Sequence, residues 1–366
     1  MKKLKIPSLC LLVILILVSC SILPQLNLQK KSYAKYINRA EQYYEQENYT
    51  QAIVYYKKAL ALNPNNYEEN YRIGRCYTFL KDYQSAIPYY KKAWEIEPNK
   101  FWVNLFTGAC YDLLKDYHTA IFYYKKALEI DSNNFGVNDI LGWCYAASLN
   151  DYSSAIPYYK KAWEIEPNNY QTCYNIGWCY HLLEDYPFAI YYYKKVLEIE
   201  PSNDKANFNI GQCFDELKDY PSAIHYYKKA LEIDPNDYWV NNNIGYKYYL
   251  IEEYDKAIPY LLKAIEIQKN NPFAYSNIGG CYVGLGEYEK AISYCKTAIL
   301  IKDNYNLNPD NNNLFYYGEP YYYMGVAYKE LNDWDKALSY FREAAELKNE
   351  KAQELLEELK RENNPK

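Results

Sequence analysis

One string of apolar and polar positions recurs along the chain. Asp-Tyr-x-x-Ala-Ile-x-Tyr-Tyr-Lys-Lys-Ala stands at Asp82–Ala93, Asp116–Ala127, Asp151–Ala162, Asp185–Val196 and Asp219–Ala230, with weaker copies opening at Asn48, Glu253, Glu287 and Asp333. The start-to-start distance is 34 residues almost throughout, with one extra residue near Ala147–Asn150. Within each copy the Tyr and Leu side chains fall at i, i+3 and i+4, which predicts an amphipathic helix. A second string lies upstream, seen as Asn-Ile-Gly-Trp-Cys-Tyr at Asn175–Tyr180 and Asn-Ile-Gly-Gln-Cys-Phe at Asn209–Phe214, and predicts a first helix. Pro187 and Pro221 suit the opening turn of a second helix. Pro64, Pro98, Pro167, Pro201 and Pro235 stop it and turn the chain.

A fixed period of this length means that the chain grows by stacking repeats and builds no central core. Gly74, Gly108, Gly142, Gly177, Gly211, Gly245, Gly279 and Gly325 sit midway along the first helices. Glycine there costs about 1 kcal/mol against Ala, so close approach of the second helix must offset it. Ala52, Ala86, Ala120, Ala155, Ala189, Ala223, Ala257, Ala291 and Ala337 are the small residues expected to face these glycines. The period, the Gly with an aromatic three places later, the two Ala and the closing Pro resemble the tetratricopeptide repeat, from about Tyr33 to Lys351. The resemblance implies an all-α fold of about nine tandem helix–turn–helix repeats forming a right-handed superhelical solenoid with a C-terminal capping helix. The expected organisation is repeats one to eight over 33–303, an Asn-rich insertion over 304–317, the ninth repeat over 318–350 and a capping helix with tail over 351–366.

The start of the chain departs from the repeat. Lys2, Lys3 and Lys5 precede an apolar run from Ile6 to Val18, which has the make-up of a secretory signal peptide over 1–19 and is short for a membrane span. Leu17-Val18-Ser19-Cys20 resembles the lipobox of bacterial lipoproteins. That implies cleavage before Cys20, acyl chains on its thiol and new amino group, and a short polar tether over 20–32. Several acyl chains would hold the protein stably on a membrane, placing it in the cell envelope on a periplasmic or outer-surface face. An uncleaved anchor, or an ordinary signal with Cys20 incidental, are the alternatives.

Composition narrows the function. The formal net charge is −5, and loss of the first 19 residues removes three lysines and leaves −8. No excess of clustered Lys and Arg offers a phosphate-binding face, so nucleic acid is not an expected partner. Cys76, Cys110, Cys144, Cys179, Cys213 and Cys281 each stand two residues after the repeat Gly. Equivalent helices of adjacent repeats lie about 8–10 Å apart and a disulfide needs Cα atoms within about 7 Å, so these read as buried, unbridged packers. His118, His181 and His225 fall in three different repeats, with no metal-binding spacing. No cofactor, metal centre or catalytic constellation is expected, and the chain reads as a binding protein rather than an enzyme.

In tetratricopeptide arrays the first helices line a concave groove, and the resemblance carries that to this chain. The aromatic positions expected to face a protein or peptide partner are Tyr71, Trp102, Trp143, Tyr174, Trp178, Phe208, Trp239, Tyr246 and Phe273. Asn38, Asn175, Asn209, Asn243 and Asn277 each stand two residues before the Gly (or Ala40), and the resemblance to peptide-binding arrays implies that Asn at this place hydrogen-bonds the backbone of a bound peptide. Packing between neighbouring first helices is the competing role for the aromatics. The centre of the groove is expected where Trp143, Trp178, Asn175 and Asn209 come together. A clamp for C-terminal carboxylates would need further basic groove residues beside Lys205 and Asn209, and these are missing. On the second helices, Lys91 with Glu95 and Lys125 with Glu129 are spaced for i,i+4 pairs. The leading function is a membrane-tethered scaffold. A regulatory or substrate-presenting subunit of envelope, secretion or cell-wall machinery, and a carbohydrate-binding solenoid, are the alternatives.

Overall fold

The computed structural model describes the backbone of residues 8–304 and 314–363, with side chains described over 27–304 and 317–359. The side chain of Cys20 and residues 305–313 of the Asn-rich insertion lie outside the described residues. Every described element is helical. The helices come in consecutive pairs, and two compact bodies can be distinguished, up to Pro167 and from Asn168 onwards.

The N-terminal body holds four pairs: α1 (Ser8–Glu45) with α2 (Tyr49–Leu62), α3 (Tyr67–Phe79) with α4 (Tyr83–Ile96), α5 (Phe101–Leu113) with α6 (Tyr117–Ile130), and α7 (Phe135–Trp143) with α8 (Tyr152–Ile165). The C-terminal body holds five: α9 (Tyr170–Leu182) with α10 (Tyr186–Ile199), α11 (Asp204–Glu216) with α12 (Tyr220–Ile233), α13 (Tyr238–Leu250) with α14 (Tyr254–Ile267), α15 (Pro272–Gly284) with α16 (Tyr288–Asn304), and α17 (Leu314–Glu330) with α18 (Trp334–Glu346). A last helix, α19 (Glu350–Asn363), packs on α18 and α17. The backbone of α1 is helical from Ser8, through the stretch expected as a polar tether over 20–32. Its Leu26–Lys31 segment is made of residues that a helix accommodates, apart from Asn27, and Pro24 does not end it.

The repeated letters now have local causes. In α4, α6, α8, α12 and α18 the opening Asp is an N-cap whose carboxylate accepts a backbone N–H three residues on, as Asp82 accepts from Ser85 and Asp219 from Ser222. The turn between the helices places one residue in the left-handed region, and in all but one repeat it is not Gly: Lys81, Lys115 and Lys218 have φ of 58°, 64° and 59°. Paired bonds close that turn, Lys81 N–H to Thr78 O and Asp82 N–H to Tyr77 O. The extra residue near Ala147–Asn150 is absorbed as a π-helical turn, Cys144–Ser148. There the closing bond spans one residue more, from Asp151 N–H to Tyr145 O.

The small residue facing the repeat Gly is not the expected Ala. A Cβ on Gly74, Gly108, Gly142, Gly177 or Gly211 would stand 2.6–2.9 Å from the flat ring of Tyr90, Tyr124, Tyr159, Tyr193 or Tyr227. These five rings are almost wholly buried. The glycine is therefore the seat of a tyrosine from the second helix, and ring area set against bare backbone offsets its helix penalty. Leu261, Cys295 and Phe341 take the ring's place over Gly245, Gly279 and Gly325. The Ala residues are buried beside these contacts, and Ala120 and Ala257 bring their carbonyl oxygens within 3.2 Å of the same glycine positions.

The Lys-Lys pairs divide their work differently from the expected i,i+4 pairing. The second lysine pairs with a Glu three residues on, as in Lys92–Glu95 at 3.1 Å and Lys126–Glu129 at 2.8 Å. The first lysine reaches to tyrosines of the following repeat. Lys57 and Lys228 donate to the Tyr77 and Tyr248 hydroxyls at 2.8 Å, and Lys125 lies over the Tyr145 ring. A lysine stem laid on a ring keeps its charge in water while covering apolar surface. The cysteine ladder is free and buried, and burial pushes the thiols of Cys76, Cys179, Cys213 and Cys281 up to about 12.

Candidate partner-binding site

The first helices of the N-terminal body hold Tyr71, Trp102 and Trp143. Tyr71 is half-buried against Tyr90 and Phe106. Trp102 and Trp143 are open to solvent, 57% and 41% exposed, Trp102 leaning on the rings of Phe101 and Phe106 and Trp143 on that of Tyr117. Asn38 is exposed beside Tyr36 and Arg39.

In the C-terminal body the expected residues separate into two groups. Tyr174, Phe208 and Asn209 are partly buried and engaged by contacts within the chain. The Tyr174 ring lies on Tyr193, its hydroxyl accepts from Asn209 Nδ2 at 2.8 Å, and Phe208 lies on Tyr227. Asn175 accepts from Gln171 at 3.1 Å, and Trp178 is only partly exposed. Of the expected centre at Trp143, Trp178, Asn175 and Asn209, Asn175 and Asn209 make side-chain hydrogen bonds within the chain, Trp178 is partly exposed and Trp143 is open to solvent.

Trp239, Asn243, Tyr246, Phe273 and Asn277 instead converge on one cavity of about 290 Å3 between α11, α13, α15 and α17. Trp239 is 51% exposed and tilts against Phe273, with ring centres 6.4 Å apart. Asn277 is buried and donates to Asn242 Oδ1 at 3.1 Å, and Asn243 lines the cavity beside them.

Five further residues of this cavity were not among the expected ones: Asp215, Asn242, Lys247, Ser276 and Glu319. Lys247 stands two residues after Gly245, where most neighbouring repeats carry the ladder cysteine. It is buried, and its ammonium is 2.6 Å from Asp215 Oδ1 and over the Tyr246 ring. Such a partner offsets the desolvation that a buried ammonium suffers. Glu319 is 7% exposed and makes no hydrogen bond or ion pair among the described residues. Burial pushes its carboxyl up to about 7, against the opposing pull of the Lys351 ammonium. Ser276 is also buried, and its hydroxyl has no partner.

Lys247 and Glu319 are each departures from the repeat. Lys247 interrupts the cysteine ladder. Glu319 stands six residues before Gly325, the place of Trp239 before Gly245 and of Phe273 before Gly279. A third break is structural. Asn70, Asn104, Asn138, Asn207 and Asn241, four residues before the Gly, form a buried ladder that was not separated from the outer one. Their amides donate to the carbonyls of the residues that open their own helices, as Asn104 does to Pro98 and Lys100 at 2.8 and 2.9 Å. They fix the turn between repeats.

Among the described residues no group of three or more His, Cys, Asp or Glu is placed to hold a metal ion. What the cavity offers is recognition: two exposed-edged aromatic rings, amides, a hydroxyl and one carboxyl without a hydrogen bond or ion pair among the described residues.

Comparison with known proteins places this architecture. Tetratricopeptide repeat models match residues 33–66, 108–134, 170–203 and 205–237, then 70–100 and 137–169, then 226–258, and finally 272–350. No curated protein matches the sequence. Among solved structures, the C-terminal part of a TPR repeat-containing protein from Cytophaga hutchinsonii is 21% identical at a TM-score of 0.55, covering 66% of this chain and 99% of that one. YrrB, described as a TPR protein with an unusual peptide-binding site, is 21% identical at 0.45 and covers 50% of this chain and 95% of its own. MamA from Desulfovibrio magneticus RS-1 is 22% identical at 0.42, covering 47% and 97%. At these identities the likeness is one of fold. The helix pairs, their 34-residue period and the family matches from residue 33 to residue 350 agree, and the chain belongs to the tetratricopeptide repeat family.

Proposed function

We propose that this protein is a non-catalytic interaction scaffold, tethered to an envelope membrane through lipid on Cys20, that binds a segment of a partner protein on its first-helix face. The observation that carries the reading is the exposure of large aromatics on first helices: Trp102, Trp143 and Trp239 are each more than two-fifths exposed. Aromatic side chains left open together mark interaction surfaces, and Trp and Tyr carry much of the energy in protein interfaces. In the C-terminal body this face also has an open cavity with amide donors beside the rings, as an extended or helical peptide segment would need.

The tether is tested by replacing Cys20 with Ser and following lipid labelling and membrane association. Loss of both is expected, whereas unchanged association with Met1 retained at the N-terminus would remove the lipid anchor from the proposal. The binding face is tested by placing a photo-crosslinking residue at Asn243 and, separately, at the exposed second-helix position Glu232. A polypeptide adduct from Asn243 alone is expected. Adducts from Glu232 alone would put the partner on the second-helix face instead.

A further inference from the structure

The cavity between α11, α13, α15 and α17 is not neutral. Of its three charged residues, Asp215 and Lys247 are paired at 2.6 Å and cancel. That leaves the Glu319 carboxyl alone, more than nine-tenths buried, without a hydrogen bond or ion pair among the described residues, and lining the open space. An acid in such a place is unfavourable to the fold whenever it ionises, because burial penalises the charged form. A partner that brings a positive charge would relieve that penalty.

The other walls match the same kind of ligand. Trp239 and Phe273 give an aromatic surface for an apolar stem or a cation. The unpartnered Ser276 hydroxyl and the Asn243 amide give acceptors for the N–H groups of an ammonium or guanidinium. A cavity of about 290 Å3 is at the small end for a ligand pocket, so it suits one side chain better than a drug-sized molecule.

We infer that this cavity receives a lysine or arginine side chain of the bound partner segment, its charged head on the Glu319 carboxylate and its stem along Trp239 and Phe273. This rests on the peptide-binding reading above and adds the chemistry of the residue recognised. Binding is then coupled to pH, because only ionised Glu319 attracts the cation. Affinity rises as pH increases through about 7, where burial has moved the carboxyl, and levels off above it. The groups that face Glu319 are Lys351 from α19, Cys295 from α16, Tyr249 from α13 and its own neighbour Tyr323. The thiol and the two phenols are all pushed upward by burial, so none of them gives a competing transition near neutral pH.

The test uses the full chain and five-residue Gly peptides, blocked at both ends, with Lys, Arg, norleucine or citrulline at the centre. Binding is followed by tryptophan fluorescence, with Trp239→Phe to assign the signal. Lys and Arg peptides are expected to bind about tenfold or more tighter than norleucine and citrulline, the effect of one charge-assisted contact. Glu319→Gln should bring all four level and remove the pH dependence, with its thermal melt unchanged or raised. Equal binding of the charged and neutral peptides would overturn the inference while leaving peptide binding itself intact. So would a charge preference that survives Glu319→Gln. If free n-butylamine binds as tightly as the Lys peptide, the cavity is a small-amine site and the peptide side chain is not its ligand. Asn243 crosslinking to a polypeptide tests the underlying reading separately, so the two failures are distinguishable.

Discussion

Removing the tyrosine ring from a repeat should reverse the effect of filling its glycine. In α11 and α12, a Cβ at Gly211 would lie 2.6 Å from Cδ1 and Cε1 of Tyr227 and 3.1 Å from Cγ. Tyr227 is fully buried and lies against Phe208 at a ring-centre distance of 5.6 Å, so the ring has little room to retreat. Gly211→Ala therefore gains about 1 kcal/mol of helix propensity against about 1–3 kcal/mol of overpacking, a net loss of up to about 2. Tyr227→Ala alone should cost about 3–5 kcal/mol, as for other large aromatic truncations. In that background the clash is gone, and Gly211→Ala should stabilise by about 1 kcal/mol, giving a coupling of about 2 kcal/mol. The assay is urea unfolding of the four variants by circular dichroism, fitted as a chain of coupled repeats because long arrays are not two-state. Gly136→Ala is the control, since the only side chain near its Cβ is Asn134 at 3.6 Å; it should not destabilise. If Gly211→Ala shifts the midpoint equally in both backgrounds, the ring is not what fixes the glycine.

Three further outcomes follow from named contacts. A carboxyl whose folded pKa lies above its unfolded value costs stability once ionised. For Glu319 the penalty is absent below about 4.5, grows from there to about 7 and is full above. Glu319→Gln should thus stabilise by roughly 2–4 kcal/mol at pH 8 and by under about 1 at pH 5, read from urea midpoints; an equal shift at both values would show that the carboxyl is not desolvated. Lys247→Ala leaves Asp215 without its partner and should cost about 2–3 kcal/mol, tempered because Asp215 is partly exposed. Lys247→Cys with Asp215→Asn should recover most of that in the same melts, and a double variant no better than the single one would remove the ion pair from the account. The ladder thiols at Cys76, Cys179, Cys213 and Cys281, buried and pushed up to about 12, should resist iodoacetamide at pH 8 until urea is added. Peptide mapping reads this directly, and rapid native labelling at Cys179 would mean that its helix pair opens.

The repeat was legible because stacking imposes the same demands every 34 residues. A capping Asp, a seat for the ring and a stop after the second helix each need one residue type at one place. What was not legible is how side chains share that space. Sequence spacing cannot tell whether Ala86 or Tyr90 faces Gly74, since both lie on the inner side of α4. It likewise cannot tell which lysine of a pair turns toward a tyrosine of the next repeat. The candidate site was missed for the opposite reason. Trp239, Asn243, Tyr246 and Asn277 fit the repeat and were found with it, whereas Lys247 and Glu319 break it. Glu319 also follows the 304–317 insertion, which obscures its register with Trp239 and Phe273. In a repeat protein the shared positions describe the scaffold, and single departures from them supply its chemistry.

The central claim is that the first-helix face binds and the second-helix face does not. It is tested most directly by titrating a partner segment, identified through its Asn243 crosslink, against Trp239→Ala and Glu232→Ala in parallel with thermal melts. Trp239 is half exposed, so its truncation should weaken binding by about 2 kcal/mol or more while the melting temperature stays within a few degrees. Glu232→Ala, at an exposed place on α12, should change neither. If Trp239→Ala binds normally, or loses binding only in proportion to lost folded protein, the exposed aromatics are packing residues and the claim is wrong.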